Sequence, residues 1–365
     1  MQETISVRQL NAMVFIFLVS DFAIFEPRAV ADAAGGQVLI SVALATLVGI
    51  LLTGVWFTLA RRFPGIDVVR YSSVLLGTPL GQVAGTVYLF MLLIGAARST
   101  AKVGTIGEAA FGWGAAVAVP VILLVVVALF LLTRRGLKTI ASLCEYAAPV
   151  VIVLVAVAGL TVLAKANWAN YTFLATGWGP AVRGALSMTG RFSVAWVVLL
   201  LLPRTRNVQN TTILSTMGTV LLVGLLMAVG TLSVALYGAR ATAASFIPSL
   251  QLITDSIWGR NPAVLNGVVA LWMLGLALKG GAAYWLLSTT LAKTSSVPTV
   301  RFLVPVGVAT FVLALVIWND PAQTYIFLRQ GHRYFLYLAG IGIPLLLLLV
   351  AWLRGRRPVQ TATQT

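Results

Sequence analysis

A chain of 365 residues that is 59% hydrophobic and 9% charged carries more apolar surface than a water-soluble core can hide, so lipid is its solvent. The formal net charge of +16 reads as a topology signal with some affinity for anionic lipid, not as a nucleic-acid signature. One cysteine, Cys144, excludes an internal disulfide framework, and one histidine, His332, excludes a His/Cys metal cluster.

Runs without charge, together with two interrupted apolar segments, predict ten membrane spans. The first, about 9–32, is interrupted at Ser20-Asp21-Phe22-Ala23-Ile24-Phe25-Glu26-Pro27. Each charge there costs about 2.5–3.5 kcal/mol in a bilayer, and proline removes a backbone donor. The second span, about 37–60, is apolar all round and closes at Arg61-Arg62. Pro64 and Asp67 then suit the start of a short interfacial helix carrying Val68, Val69, Tyr71, Val74 and Leu75, which Gly77-Thr78-Pro79 stops. The third span follows from about Gly81, with Arg98 and Lys102 at its far end, placed to snorkel. The fourth and fifth, about 115–133 and 141–164, flank the basic loop at Arg134-Arg135, and Glu145 is expected to pair with an arginine at the membrane rim.

After the aromatic belt at Asn167–Tyr171, Gly177-Trp178-Gly179-Pro180 turns the chain into the sixth span, about 184–203. That span holds the second break, Ser187-Met188-Thr189-Gly190-Arg191-Phe192. The seventh span, about 211–237, precedes a connection in which 246–253 forms a short surface helix. Spans at about 263–287, 302–318 and 334–353 follow, with Lys279 near the middle of the eighth and a turn at Trp318-Asn319-Asp320-Pro321 after the ninth.

Breaks in the first and sixth of ten spans point to a five-plus-five inverted repeat with a midplane site. The fold class expected is all-α integral membrane with discontinuous helices 1 and 6, in one domain: a first repeat over 8–164, a second over 165–354 and a tail over 355–365. Lys and Arg alternate between connections so that Arg8, Arg61, Arg62, Arg134, Arg135, Arg204 and Arg354 share the cytoplasmic side, which puts both termini inside.

The ordered landmarks resemble the B subunits of spore germinant receptors, the endospore germination permeases of the amino acid-polyamine-organocation superfamily. The motifs that carry the likeness are Pro27-Arg28, Phe63-Pro64-Gly65 followed by Tyr71, Gly77 and Gly81, then Gly177-Trp178-Gly179-Pro180, Leu202-Pro203-Arg204 and Trp318-Asn319-Asp320. The resemblance implies a LeuT-like fold, a spore inner-membrane location, partner A and C receptor subunits and a small germinant, an amino acid or amine. The chain departs from the family where Ser20-Asp21-Phe22 replaces a Gly-x-Gly carboxylate cradle and where Trp196 stands in place of a glutamate, which points to a more cationic ligand.

A split helix offers amides at one end and carbonyls at the other, enough to hold both charges of one small ligand. The candidate ligand-binding residues are therefore Ser20, Asp21, Phe22, Ala23 and Phe25 of the first break, Ser187, Met188, Thr189, Gly190, Arg191 and Phe192 of the second, and Lys279. Asp21 suits an ammonium and Arg191 a carboxylate; Lys279 fits either a fixed cation or a counter-ion to Asp21. The competing reading is that Asp21, Glu26, Arg191 and Lys279 neutralise one another and fasten the bundle. The function expected is a germinant-sensing receptor subunit that binds a small amino acid or amine between the two breaks, with a secondary transporter for such a ligand as the alternative. No nucleophile-base pair, phosphate loop, cofactor motif or metal cluster supports an enzyme.

Overall fold

The computed structural model describes residues 3–173, 177–319 and 333–354, and of 21–25 the backbone alone. His332, Asp320, Pro321 and the tail over 355–365 lie outside the described residues. The described chain is helical, in the order α1 (Val7–Ala34), α2 (Val38–Arg62), α3 (Val68–Leu76), α4 (Thr78–Phe111), α5 (Ala115–Arg135), α6 (Leu137–Leu163), α7 (Gly179–Phe192), α8 (Val198–Leu201), α9 (Asn210–Gly230), α10 (Leu232–Tyr237), α11 (Ala239–Ala244), α12 (Pro248–Asp255), α13 (Pro262–Ser295), α14 (Val300–Asn319), α15 (Arg333–Tyr337) and α16 (Ile343–Leu353). Among the described residues, 9 helical stretches are long and apolar enough to cross a membrane, and the shorter apolar stretch Val7–Ser20 opens the series.

A capping box starts α1: the Ser6 hydroxyl accepts from the Gln9 amide at 3.2 Å and the Gln9 carbonyl oxygen accepts from the Ser6 amide at 3.0 Å. The backbone then stays helical for 28 residues, with Pro27 inside. The interruption expected in the first span is thus a proline within continuous helix. Pro27 withholds one hydrogen bond and leaves the remaining ladder in place. Arg8 meets Glu145 at 2.7 Å, the rim pair expected from sequence.

The link to the third span folds as its residues suggest. Asp67 caps α3 by accepting from the Arg70 amide at 3.2 Å, and Val68, Val69, Tyr71 and Leu75 turn inward. Phe63 and Tyr71 stack at 5.0 Å, and a Cβ on Gly81 would lie 2.2 Å from the Ser73 Cα, so α3 rests directly on the start of α4. Burial, with smaller contributions from Tyr88 and Asp67, holds the Tyr71 phenol well above its ordinary value.

The third span differs from expectation at its far end. Arg98 and Lys102 do not snorkel; they are 4% and 3% exposed, and α4 runs on through them to Phe111. Its 34 residues make a rod of about 51 Å at ~1.5 Å per residue. The charges are carried inside protein, where partners replace water.

Two groups of helices divide the bundle. The first is built around α1, α2, α7 and α9, with α2 packed along α7; in the second, α4 lies against α13 and α14 and α5 closes the side. Close crossings hold the first group together: a Cβ on Gly184 of α7 would sit 2.6 Å from the Ala34 Cβ, and one on Gly224 of α9 would sit 2.2 Å from the Thr46 hydroxyl. Gln37 fixes the start of α7 by donating to the Gly177 carbonyl and accepting from the Ala181 amide, both at 2.9 Å. This accounts for the glycine-rich turn, whose Gly177 has φ 78°.

At the N-terminal side residues 3–6 form a strap. The Ile5 amide donates to the Arg204 carbonyl and the Arg206 amide donates to Ile5, both at 2.9 Å, in a short parallel bridge. Glu3 accepts from the Leu137 amide and Thr4 from the Arg206 guanidinium.

Candidate functional site

The sixth span is where helical geometry changes. After α7 the chain tightens into a 3-10 turn over Ser193–Val197, returns to α8 for a single turn and tightens again over Leu202–Arg204. The predicted break at Ser187 to Phe192 is itself helical, and the irregular stretch begins one residue later. Polar side chains misled the sequence reading there. Thr189 returns its hydroxyl to the Ala185 carbonyl at 2.9 Å and Ser187 to Gly184 at 2.8 Å, so both are satisfied within their own helix.

Opposite the 3-10 turn, the tenth span also departs from α geometry, in a π segment over Leu338–Gly342. The two irregular stretches touch. A Cβ on Gly340 would lie 2.6 Å from the Ser193 Cβ, and Trp56 from α2 locks the π segment by donating its indole N–H to the Gly340 carbonyl at 2.7 Å.

A cavity of about 30 Å³ lies against this junction, bordered by Phe17 of α1, Arg98 of α4, Trp196 of the 3-10 turn, Lys279 of α13 and Leu336 of α15. The Lys279 ammonium sits 5.8 Å from the centre of the Phe17 ring, within cation–π range, and the Trp196 and Tyr88 rings meet at 4.8 Å. Both cations are buried and engaged with other groups.

Of the sequence candidates, Lys279 borders this cavity. Asp21, Phe22, Ala23 and Phe25 have side chains outside those described. Ser20 is 3% exposed and faces a different space, between α1 and α13, where Trp272 donates its indole N–H to the Ser20 carbonyl at 3.3 Å. Arg191 forms an ion pair with Glu26 that ties α7 to α1, with Glu26 4% and Arg191 14% exposed in their side chains. Met188 and Phe192 are fully enclosed, and a Cβ on Gly49 of α2 would reach the Phe192 ring at 2.8 Å, so Phe192 packs against α2. Gly190 faces Arg333 and Tyr337 at the start of the tenth span. Sequence reasoning passed over Phe17, Met91, Leu92, Val194, Val197 and Leu336, apolar residues that no polar signal marks. Among the described residues no group of three His, Cys, Asp or Glu could hold a metal ion.

The profile of the family described as Spore germination protein matches residues 4–321. The chain belongs to that family. The spore germination family assignment takes in every element from the strap to the end of α14, including the 3-10 turn and Lys279. A crystal structure of MhsT in complex with L-phenylalanine matches with a TM-score of 0.70 and 13% identity, covering 96% of this chain and 99% of that one. At that identity the likeness is one of fold, and the fold is LeuT-like. A search of curated proteins found no match. The family and the fold are of the permease type, not those of enzymes, and the chain is an integral membrane protein.

Proposed function

We propose that the chain is the germinant-sensing membrane subunit of a spore germination receptor, and that it binds a small amino acid or amine between the first and sixth spans. The observation that carries the reading is the cavity where the 3-10 turn over Ser193–Val197 faces Lys279, Arg98 and the Phe17 ring. Two buried cations favour a carboxylate, so an amino acid is preferred over a bare amine. On sequence grounds alone, Asp21 is the carboxylate proposed for the ligand ammonium. A volume of about 30 Å³ suits a water molecule or two and not an amino acid. Binding therefore requires the 3-10 turn and the π segment to separate, and that displacement is the signal passed to A and C subunits in the spore inner membrane.

The MhsT structure was solved with L-phenylalanine, which supports an amino acid as the ligand class on this shared architecture. The same geometry supports a second reading, secondary transport of that amino acid by alternating access.

The test is thermal unfolding of the purified chain in lipid nanodiscs against a panel of L-amino acids and their decarboxylated amines. At least one amino acid should raise Tm, and Lys279→Met should remove the shift while the protein stays folded. A Tm response that survives Lys279→Met, or a panel without any response, refutes the site. Proteoliposomes that accumulate the active amino acid over many turnovers would decide for transport.

A further inference from the structure

A second, larger space also borders α1, separate from the cavity assigned to the germinant, and its proposed occupant does not depend on that assignment. Phe17 borders the small cavity, whereas Val19 and Ser20 border a pocket of about 110 Å³ between α1, α6, α9, α12 and α13. Its walls are aliphatic apart from two indoles and the hydroxyls of Ser20 and Ser249. Trp258 is fixed by donation to the Leu154 carbonyl at 3.2 Å and Trp272 by donation to the Ser20 carbonyl at 3.3 Å.

Two hydroxyls at this pocket stand out. Ser20 and Ser249 are 3% and 7% exposed, and neither hydroxyl oxygen has a hydrogen-bond partner among the described residues. Ser41 and Thr46 return their hydroxyls to a carbonyl one turn back; Ser99, Ser288 and Thr310 also have no partner among the described residues, but only Ser20 and Ser249 of these border this pocket. An orphaned hydroxyl in an apolar enclosure is unfavourable unless something fills the space and pairs with it. The pocket is lined without any ionisable side chain, which excludes a charged occupant. One wall is half-buried along Val151, Leu154 and Val155, and Leu271 is 38% exposed, so access is from the lipid side.

We propose that this pocket binds a small, uncharged amphiphile that partitions into the bilayer, with an apolar body and one hydroxyl or carbonyl that pairs with Ser20 and Ser249. The volume sets its size: a cavity of ~150 Å³ accepts benzene, so this smaller pocket encloses about four or five heavy atoms, and a longer body extends through the lipid-side opening. Serine both donates and accepts, so an alcohol and a ketone fit equally. Lipid acyl chains share the apolar body and lack the polar end.

The probe is 5-bromo-1-pentanol added to the full chain in nanodiscs of unbrominated lipid, read by quenching of tryptophan fluorescence. The expected result is saturable quenching that is absent in Ala158→Phe, where a phenyl ring fills the pocket. Ser249→Ala should weaken the response about 5-fold, the loss of one neutral hydrogen bond, and 1-bromopentane at equal membrane concentration, which forms neither bond, should be weaker still. Ser249 lies on the short α12, so that variant keeps the test decisive should Ala158→Phe not fold. Quenching that rises linearly with membrane concentration and is equal in all variants overturns the proposal. So does strong quenching by nanodiscs of brominated acyl chains that 1-pentanol fails to relieve, because the acyl chain is then the occupant.

Discussion

Removing one member of the Glu26–Arg191 pair should cost far more than removing both. The pair joins α1 to α7, with side chains 4% and 14% exposed. In Glu26→Gln the guanidinium stays buried without its counter-ion, and in Arg191→Leu the carboxylate does. Each single change should cost about 3–5 kcal/mol. Taking ~2.1 cal/mol/K of unfolding entropy per residue, that is a fall of about 4–6 °C in Tm. The double variant Glu26→Gln, Arg191→Leu leaves no charge to desolvate and should be more stable than either single variant. Purified variants in nanodiscs, followed by thermal unfolding, give the cycle directly. A double variant whose loss equals the sum of the single losses would show that the two residues act separately and would refute a fastening pair between α1 and α7.

Other changes test the surroundings of the site. Gly340→Ala places a methyl 2.7 Å from the Ser193 carbonyl oxygen, so the π segment and the 3-10 turn must part, and stability should fall by about 1–3 kcal/mol in the same assay. Gln37→Ala removes both bonds that fix the start of α7 and strands a buried amide, a loss of about 1–3 kcal/mol read as lower Tm. Tyr171, outside the spans, has its phenol pushed up by burial while a bond to Thr231 opposes this. A raised folded pKa means that its contribution is complete below the ordinary value of 10.0 and is lost as pH rises through the folded one. Tyr171→Phe should therefore show a shallower fall in Tm above pH 10 than the parent chain, and equal slopes would refute the assignment.

Span number and order were legible because charges end apolar runs, and the short α3 was legible because Asp67 and Gly77 bracket it. The same rule failed at Arg98 and Lys102. A charge ends a run of hydropathy but not a helix, and inside a bundle it can be paired and buried, as these are. The candidate site was read from polar residues, and there the signal was divided. Ser187 and Thr189 spend their hydroxyls on their own helix, Arg191 meets Glu26, and the turn that departs from helix is Ser-Val-Ala-Trp-Val, which sequence cannot tell from ordinary apolar helix. Lys279 was singled out because a lysine at mid-span has no cheap solitary state, and it borders the small cavity. The 3-10 and π stretches arise from mutual packing of Ser193 on Gly340, a contact that local sequence does not encode.

The strap at residues 3–6 bears on how the chain is made. Thr4 and Arg206 are bonded although 202 positions apart. At a synthesis rate of ~5–20 residues per second, the partner of the strap emerges roughly 10–40 s after it. For that interval Ile5 has only water for its backbone groups, while α1 to α6 are already available to insert and pack. Residues 3–6 thus find their place well after they are made, and closing the strap marks the arrival of the sixth span.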